Sequence, residues 1–314
     1  MSSNFVKDTS YAFVFPGQGA QHVGMGMDLI SSSKAAKLVF DEVDETLGMN
    51  LSKILFEGPE DDLKNTMNAQ PGILAMSIAC LKAMEEILGE SMPYPSFVAG
   101  HSLGQYTALV ANKSLTLSGA VVLVRERGRL MQYASELNNG GMAALIGMDD
   151  TVIDDICSET GTEISNLNAP GQTVISGSVE SIQQAISLAT ERGARRAIPL
   201  AVAGAFHSQL MKPAQHGLDL AVNNMDLQDS QTPIIVNSTG LSLTNSDEIK
   251  RELMDSLCSP VRWRDSVKYM VDAGVSKMYE IGPGKALSGM VTRISSDIDI
   301  TNIETLENIN SLVK

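Results

Sequence analysis

Gly100-His101-Ser102-Leu103-Gly104 forms a G-x-S-x-G between a short apolar run over 96–100 and a helical pattern over 105–110. A serine on a sharp strand-to-helix turn has its Oγ pushed clear of the sheet. The flanking glycines let backbone segments pass closely, and the amide after the serine can meet a developing oxyanion. Alone, these five residues could equally be a tight turn of an α/β protein. The strand before and the helix after are what favour a nucleophile.

A nucleophilic serine needs a base. The chain has four histidines: His22, His101, His207 and His216. His101 adjoins Ser102, and neighbouring side chains of an extended segment face opposite ways. His22 lies in a glycine-rich loop. His216 sits among Lys212 and Gln215 and reads as a surface residue. His207 follows the small-residue stretch Ala201-Val202-Ala203-Gly204-Ala205-Phe206, which suits a crowded cleft, and is the favoured base. A satisfied core or capping histidine is the competing reading.

A second glycine-rich segment, Phe15-Pro16-Gly17-Gln18-Gly19-Ala20-Gln21, also follows an apolar run. It is no dinucleotide fingerprint, because position 22 is His22, and it lacks the Lys-Ser/Thr of a P-loop. It reads either as a structural turn or as a loop presenting bare amides to a ligand. In Val124-Arg125-Glu126-Arg127-Gly128-Arg129, helical spacing sets Leu123, Leu130 and Met131 near the face of Arg127. Of the three arginines, Arg127 is expected to turn inward. A buried guanidinium must be paired. With no fixed acid evident, a substrate carboxylate is a candidate partner.

The elements that would position these residues alternate short apolar runs with helical patterns. Strands are expected over 11–15, 96–100, 234–236 and 277–281, and helices over 73–88 and 118–131, with 125–129 as a charged helix end. Residues 140–147, 151–160, 164–168, 172–176, 181–192 and 195–200 read as β-α-β-β-α-β, the ferredoxin-like order. The expected fold is α/β. A hydrolase-like catalytic subdomain with a mostly parallel sheet takes residues 1–133 and 202–314, and an inserted ferredoxin-like subdomain takes 134–201.

The 314 residues carry 23 basic and 37 acidic side chains, a net charge of −14. That balance argues against nucleic acid, whose phosphates require clustered Lys and Arg, and against a membrane surface. With 43% hydrophobic and 19% charged residues the chain can bury a core, one poor in aromatics at 4%. No apolar run approaches the ~20 residues of a spanning helix. The first ten residues, with Lys7 and Asp8, do not read as a secretory signal. Cys80, Cys157 and Cys258 have neither C-x-x-C nor zinc spacing. A cytoplasmic, reducing setting is expected.

Six blocks occur in order: Phe13-Val14-Phe15-Pro16-Gly17-Gln18-Gly19-Ala20-Gln21, Gly100-His101-Ser102-Leu103-Gly104-Gln105-Tyr106, Arg127-Gly128, Asn168-Ala169-Pro170-Gly171-Gln172, Gly204-Ala205-Phe206-His207-Ser208 and Gly282-Pro283-Gly284. Together, over about 11–290, they resemble the malonyl-CoA:acyl carrier protein transacylase family of bacterial fatty acid synthesis. The resemblance implies Ser102 as the malonylated nucleophile and His207 as general base, then acid. It also implies the amides of Gln18 and Leu103 as oxyanion hole, Arg127 as ligand of the malonyl carboxylate, and Asn168 near the cleft. The family orients its histidine with a backbone carbonyl, here that of Ser256, where many members have Gln. Gln105 stands where many have Glu, outside the reacting set.

The resemblance further implies no metal or redox cofactor: CoA and phosphopantetheine thioesters are substrates. The implied partners are malonyl-CoA and acyl carrier protein, and a monomer is expected. Since the carrier is acidic in such systems, docking calls for a local basic patch, with Arg192, Arg195, Arg196, Lys212 and Lys285 as candidates. Three alternatives remain: a transacylase for another unit such as methylmalonyl; a serine esterase or thioesterase, which would leave Arg127 without a purpose; and a non-catalytic carrier-protein-binding module, against which the presence of both Ser102 and His207 weighs.

Overall fold

The computed structural model describes residues 10–202 and 204–313. The leader reading of the first residues, apart from Ser10, and Ala203 of the small-residue stretch therefore fall outside the described residues. Ten strands form two sheets: β1 Ser10–Phe15, β2 Pro95–Gly100, β3 Gly140–Ile146, β4 Glu163–Ala169, β5 Gln172–Ser178, β6 Arg196–Pro199, β7 Ile234–Ile235, β8 Ser242–Leu243, β9 Val275–Ile281 and β10 Asp299–Ile303. The larger sheet has the order β10-β9-β1-β2-β7-β8. Its pairs are parallel except β7 with β8. Its inner strands are buried on both faces, as continuous runs such as Ala12-Phe13-Val14-Phe15 require.

The smaller sheet is antiparallel with the order β4-β5-β3-β6. Helices Asp150–Thr160 and Val179–Glu191 bury Ile153, Ile156, Ile182 and Ala185 against it. That is the ferredoxin-like arrangement expected from the βαββαβ order. The small sheet is tied to the rest of the chain where Leu167 N–H donates to Val261 O (2.9 Å) and Val261 N–H to Ser165 O (2.8 Å), Val261 being packed in the core beneath the larger sheet.

The register of β1 against β2 matters most for chemistry. Phe15 pairs with Gly100, so both glycine-rich turns leave the sheet side by side at its carboxyl edge, the usual location of ligand sites in open α/β sheets. The approach leaves no room for side chains. A Cβ on Gly100 would stand 1.9 Å from Gly104 C, one on Gly104 2.1 Å from Phe15 O, and one on Gly17 2.5 Å from His101 O.

Two helices run longer than their sequence patterns suggest. The first spans Thr66–Leu88 with Pro71 inside it. Pro71 is its sixth residue and has no N–H to offer Met67 O, so the helix forgoes one i→i−4 bond there. The second spans Leu117–Leu137, so Arg125, Arg127 and Arg129 lie at mid-helix and not at a charged end. Tyr133 and Leu137 on that extension are exposed, so no apolar stripe announces the last turns. The two helices touch at Gly128, where a Cβ would meet Thr66 O at 2.8 Å. This crossing sets Arg127 beside Gln70.

Candidate active site

Ser102 has φ 51°, the left-handed region that non-glycine residues avoid. Such strain persists only where surroundings over-determine it. Here the fixed strand end Gly100, the helix beginning at Gly104 and the closeness of β1 leave one path. Ser102 Oγ lies 2.8 Å from His207 Nε2. The serine thus stands at the tip of the turn, 105 residues from its partner in sequence.

His207 is itself left-handed, with φ 57°. Ser208 locks the hook: its hydroxyl donates to Ala205 O (2.6 Å) and accepts from Leu210 N–H (3.3 Å). His207 Nδ1 faces the carbonyls of Ser256 (2.9 Å) and Ser259 (3.1 Å). Two carbonyl acceptors place the proton on Nδ1 and leave Nε2 free to accept from the serine. Burial, then the positive charge of Arg127, push the imidazole down to about 3. It is therefore neutral at physiological pH and competent as a base.

Arg127 is 2% exposed. One terminal nitrogen donates to Gln70 Oε1 (2.7 Å), the other to Ser102 Oγ (3.1 Å). Its guanidinium lies 5.4 Å from the Tyr106 ring centroid, and among the described residues its Nε has no partner. Among the described residues no carboxylate lies within ion-pair distance of it. By contrast Arg129 is bound by Glu126 at 2.6 Å, and Arg125 is half-buried near Asn68. A buried cation without an acid can bind an anionic group beside the serine.

A cleft of about 690 Å³ opens here, lined by Gln18, His101, Ser102, Asn168, Phe206 and His207 among others. Gln18 is half-buried, and its side-chain amide donates to Thr66 Oγ1 (3.3 Å). Leu103 is buried directly after the serine. Asn168 reaches the cleft from the small sheet, and its Oδ1 meets His101 Nε2 at 2.8 Å. His101 is thus engaged away from Ser102. His22 is exposed and 3.5 Å from Glu304, and His216 is exposed on helix Lys212–Asn223. Of the arginines expected to meet a carrier, Arg192 is bound by Glu159 at 2.7 Å, while Arg195 and Arg196 are exposed.

Sequence reasoning did not find Asn237, which follows β7. Its Oδ1 accepts from Ser102 N–H (2.7 Å), and its Nδ2 donates to Gly100 O (2.7 Å). Its own N–H donates to Gln105 Oε1 (2.7 Å). Next door, Ser238 N–H donates to Glu252 Oε1 (3.0 Å) and its hydroxyl to Glu252 Oε2. Burial raises the Glu252 carboxyl, while Ser238, the Gln105 amide and the Asn237 N–H pull the other way. The only cue in the sequence is Asn237 at the end of an apolar strand. Among the described residues, no cluster of three His, Cys, Asp or Glu could hold a metal, and no helix is long and apolar enough to cross a membrane.

The acyl transferase domain family matches residues 12–305. Among curated relatives, a malonyl CoA-acyl carrier protein transacylase of Bacillus subtilis is 44% identical, aligned over 94% of this chain and 95% of its own. Among solved structures, an acyl-carrier-protein-S-malonyltransferase of Bartonella henselae is 38% identical with TM-score 0.93, covering 97% and 98% of the two chains. A malonyl-transacylase in complex with a type II PKS acyl-carrier protein is 35% identical, also at TM-score 0.93, covering 97% and 99%. A serine–histidine pair in a strained turn, a buried arginine beside it, and likeness over nearly the whole length agree: the chain belongs to the acyl transferase family, alongside the malonyl CoA-acyl carrier protein transacylases.

Proposed function

We propose that this protein transfers the malonyl group of malonyl-CoA to the phosphopantetheine thiol of acyl carrier protein through a malonyl ester on Ser102. The observation that carries the reading is the buried Arg127 guanidinium, without an acid partner, 3.1 Å from a serine oxygen that is bonded to a neutral imidazole. Acyl transfer uses the serine and histidine. Only a substrate bearing its own carboxylate uses the arginine.

Ser102 Oγ attacks the thioester carbonyl while His207 Nε2 takes its proton. The oxyanion is held by the N–H groups of Gln18 and Leu103, a type of contact worth about 3 kcal/mol per donor. Collapse expels CoA thiolate, which receives the proton from His207. The carrier thiol then attacks malonyl-Ser102, His207 takes the thiol proton, and on collapse returns it to Ser102 Oγ. Ser256 and Ser259 carbonyls hold the imidazole through both halves, and Asn168 holds His101 at the cleft wall. Every step is a proton or acyl transfer, so the reaction calls for no metal or redox cofactor. All site residues come from one chain, so a monomer suffices, working in the cytoplasm with its thioester substrates.

Product analysis tests the reading. With malonyl-CoA and a pantetheine thiol, malonyl-pantetheine is expected. Free malonate as main product would make the protein a thioesterase instead.

A further inference from the structure

We propose that Asn237 is a positioning residue for the nucleophile, braced by Gln105 and Glu252, and that helix Ser246–Asp255 thereby sets the serine and the imidazole in register. The proposal rests on the acyl-transfer reading above. Asn237 is 3% exposed, and its side chain bonds backbone on both sides of the strained turn: Ser102 N–H and Gly100 O. These two bonds hold apart the arms of a turn that a free chain would relax. They also consume the Ser102 N–H, so the serine's own amide is unavailable to an oxyanion.

The clamp is itself clamped. Gln105, 1% exposed on the helix that follows the turn, accepts from the Asn237 N–H. Glu252, 6% exposed, grips both the backbone and hydroxyl of Ser238. Glu252 lies on the helix Ser246–Asp255, and its carbonyl accepts from Ser256 N–H (2.8 Å). Ser256 in turn supplies the carbonyl that meets His207 Nδ1. One helix end therefore reaches Ser102 through Ser238 and Asn237, and His207 through Ser256. A chain of buried polar groups of this kind is stiff only when every member is paired. A shift at either end would lengthen the 2.8 Å contact between Ser102 and His207.

The test compares wild type, Asn237→Ala, Asn237→Asp and Gln105→Ala. It reads the malonylation rate of Ser102 from malonyl-CoA by intact mass, and sulfonylation of Ser102 by phenylmethylsulfonyl fluoride. Misplacing a nucleophile by about 1 Å costs on the order of 100-fold, so Asn237→Ala should lose about that factor in the maximal rate of both reactions. Half-saturating malonyl-CoA should stay within about threefold, since no substrate contact is removed. Asn237→Asp keeps the acceptor for Ser102 N–H and should fall between Ala and wild type. Should Asn237→Ala unfold, the milder Gln105→Ala, which leaves the Asn237 N–H unpaired at a cost of about 1–3 kcal/mol in stability, carries the test below its melting temperature with a loss of about tenfold. Wild-type rates in the folded Asn237→Ala or Gln105→Ala variant would overturn the proposal, as would a loss confined to half-saturation. If wild type is sulfonylated but never malonylated, the acyl-transfer reading fails instead, and the sulfonylation rates still judge Asn237.

Discussion

Replacing Arg127 by Ala should invert the logic of the site while leaving the Ser102–His207 pair in place. The guanidinium is enclosed by Gln70, Tyr106 and Ser102, and among the described residues nothing anionic neutralises it. A malonyl carboxylate would be its counter-ion. Removing one member of a buried ion pair costs about 3–5 kcal/mol. At 1.36 kcal/mol per decade that is a loss of roughly 150- to 5,000-fold in malonylation. Acetyl-CoA offers no carboxylate, so in wild type it leaves the cation unpaired, and in the variant it finds a neutral pocket. The malonyl-to-acetyl ratio should thus fall by at least about 100-fold. Arg127 also helps hold His207 low, so its removal raises the imidazole pKa. Assaying at about pH 8 keeps the base neutral in both proteins and isolates the pairing. The assay is the rate of mass gain on Ser102 from each thioester. Arg127→Lys should fall between, because a point charge replaces a planar fork. A malonyl-to-acetyl preference that stays within threefold of wild type in Arg127→Ala would refute the assignment.

Gln18→Ala should be mild. Its side chain makes one bond, to Thr66, worth about 1 kcal/mol, whereas the proposed role uses the backbone N–H. A loss matching Ser102→Ala would show that the side chain takes part. The pH dependence of Ser102 malonylation follows from His207. A base with a lowered pKa is functional above that value and lost below it. With His207 at about 3, the rate should stay level from about pH 8 down to about pH 5. A midpoint near the ordinary histidine value in a protein still folded there would contradict the buried, neutral imidazole.

Residues that work through local chain geometry were legible in the sequence. Ser102 is marked by its glycines, because backbone crowding there admits nothing larger. His207 is marked by the small residues before it. Strands β1, β2 and β9 and the ferredoxin-like order followed from apolar runs and their spacing. Arg127 followed from its apolar neighbours, although the helix end around it did not. The edge strand β10 was missed because its half-exposed residues, Ile300 to Asn302, carry no apolar run. Asn237 and Glu252 were missed for a different reason. Each reads locally as an ordinary polar residue, Glu252 on a charged helix, and gains meaning only from partners brought close by the fold. Gln105 was seen beside the motif, but its use as a brace for a loop 132 positions away is visible only in three dimensions.

The central claim is a covalent one, and intact-protein mass spectrometry after brief mixing with malonyl-CoA reads it directly. Wild type should gain the mass of one malonyl group, located on the peptide containing Ser102 and discharged by a pantetheine thiol. Ser102→Ala should gain nothing. An unmodified wild type, or equal labelling of the Ser102→Ala variant, would contradict the account.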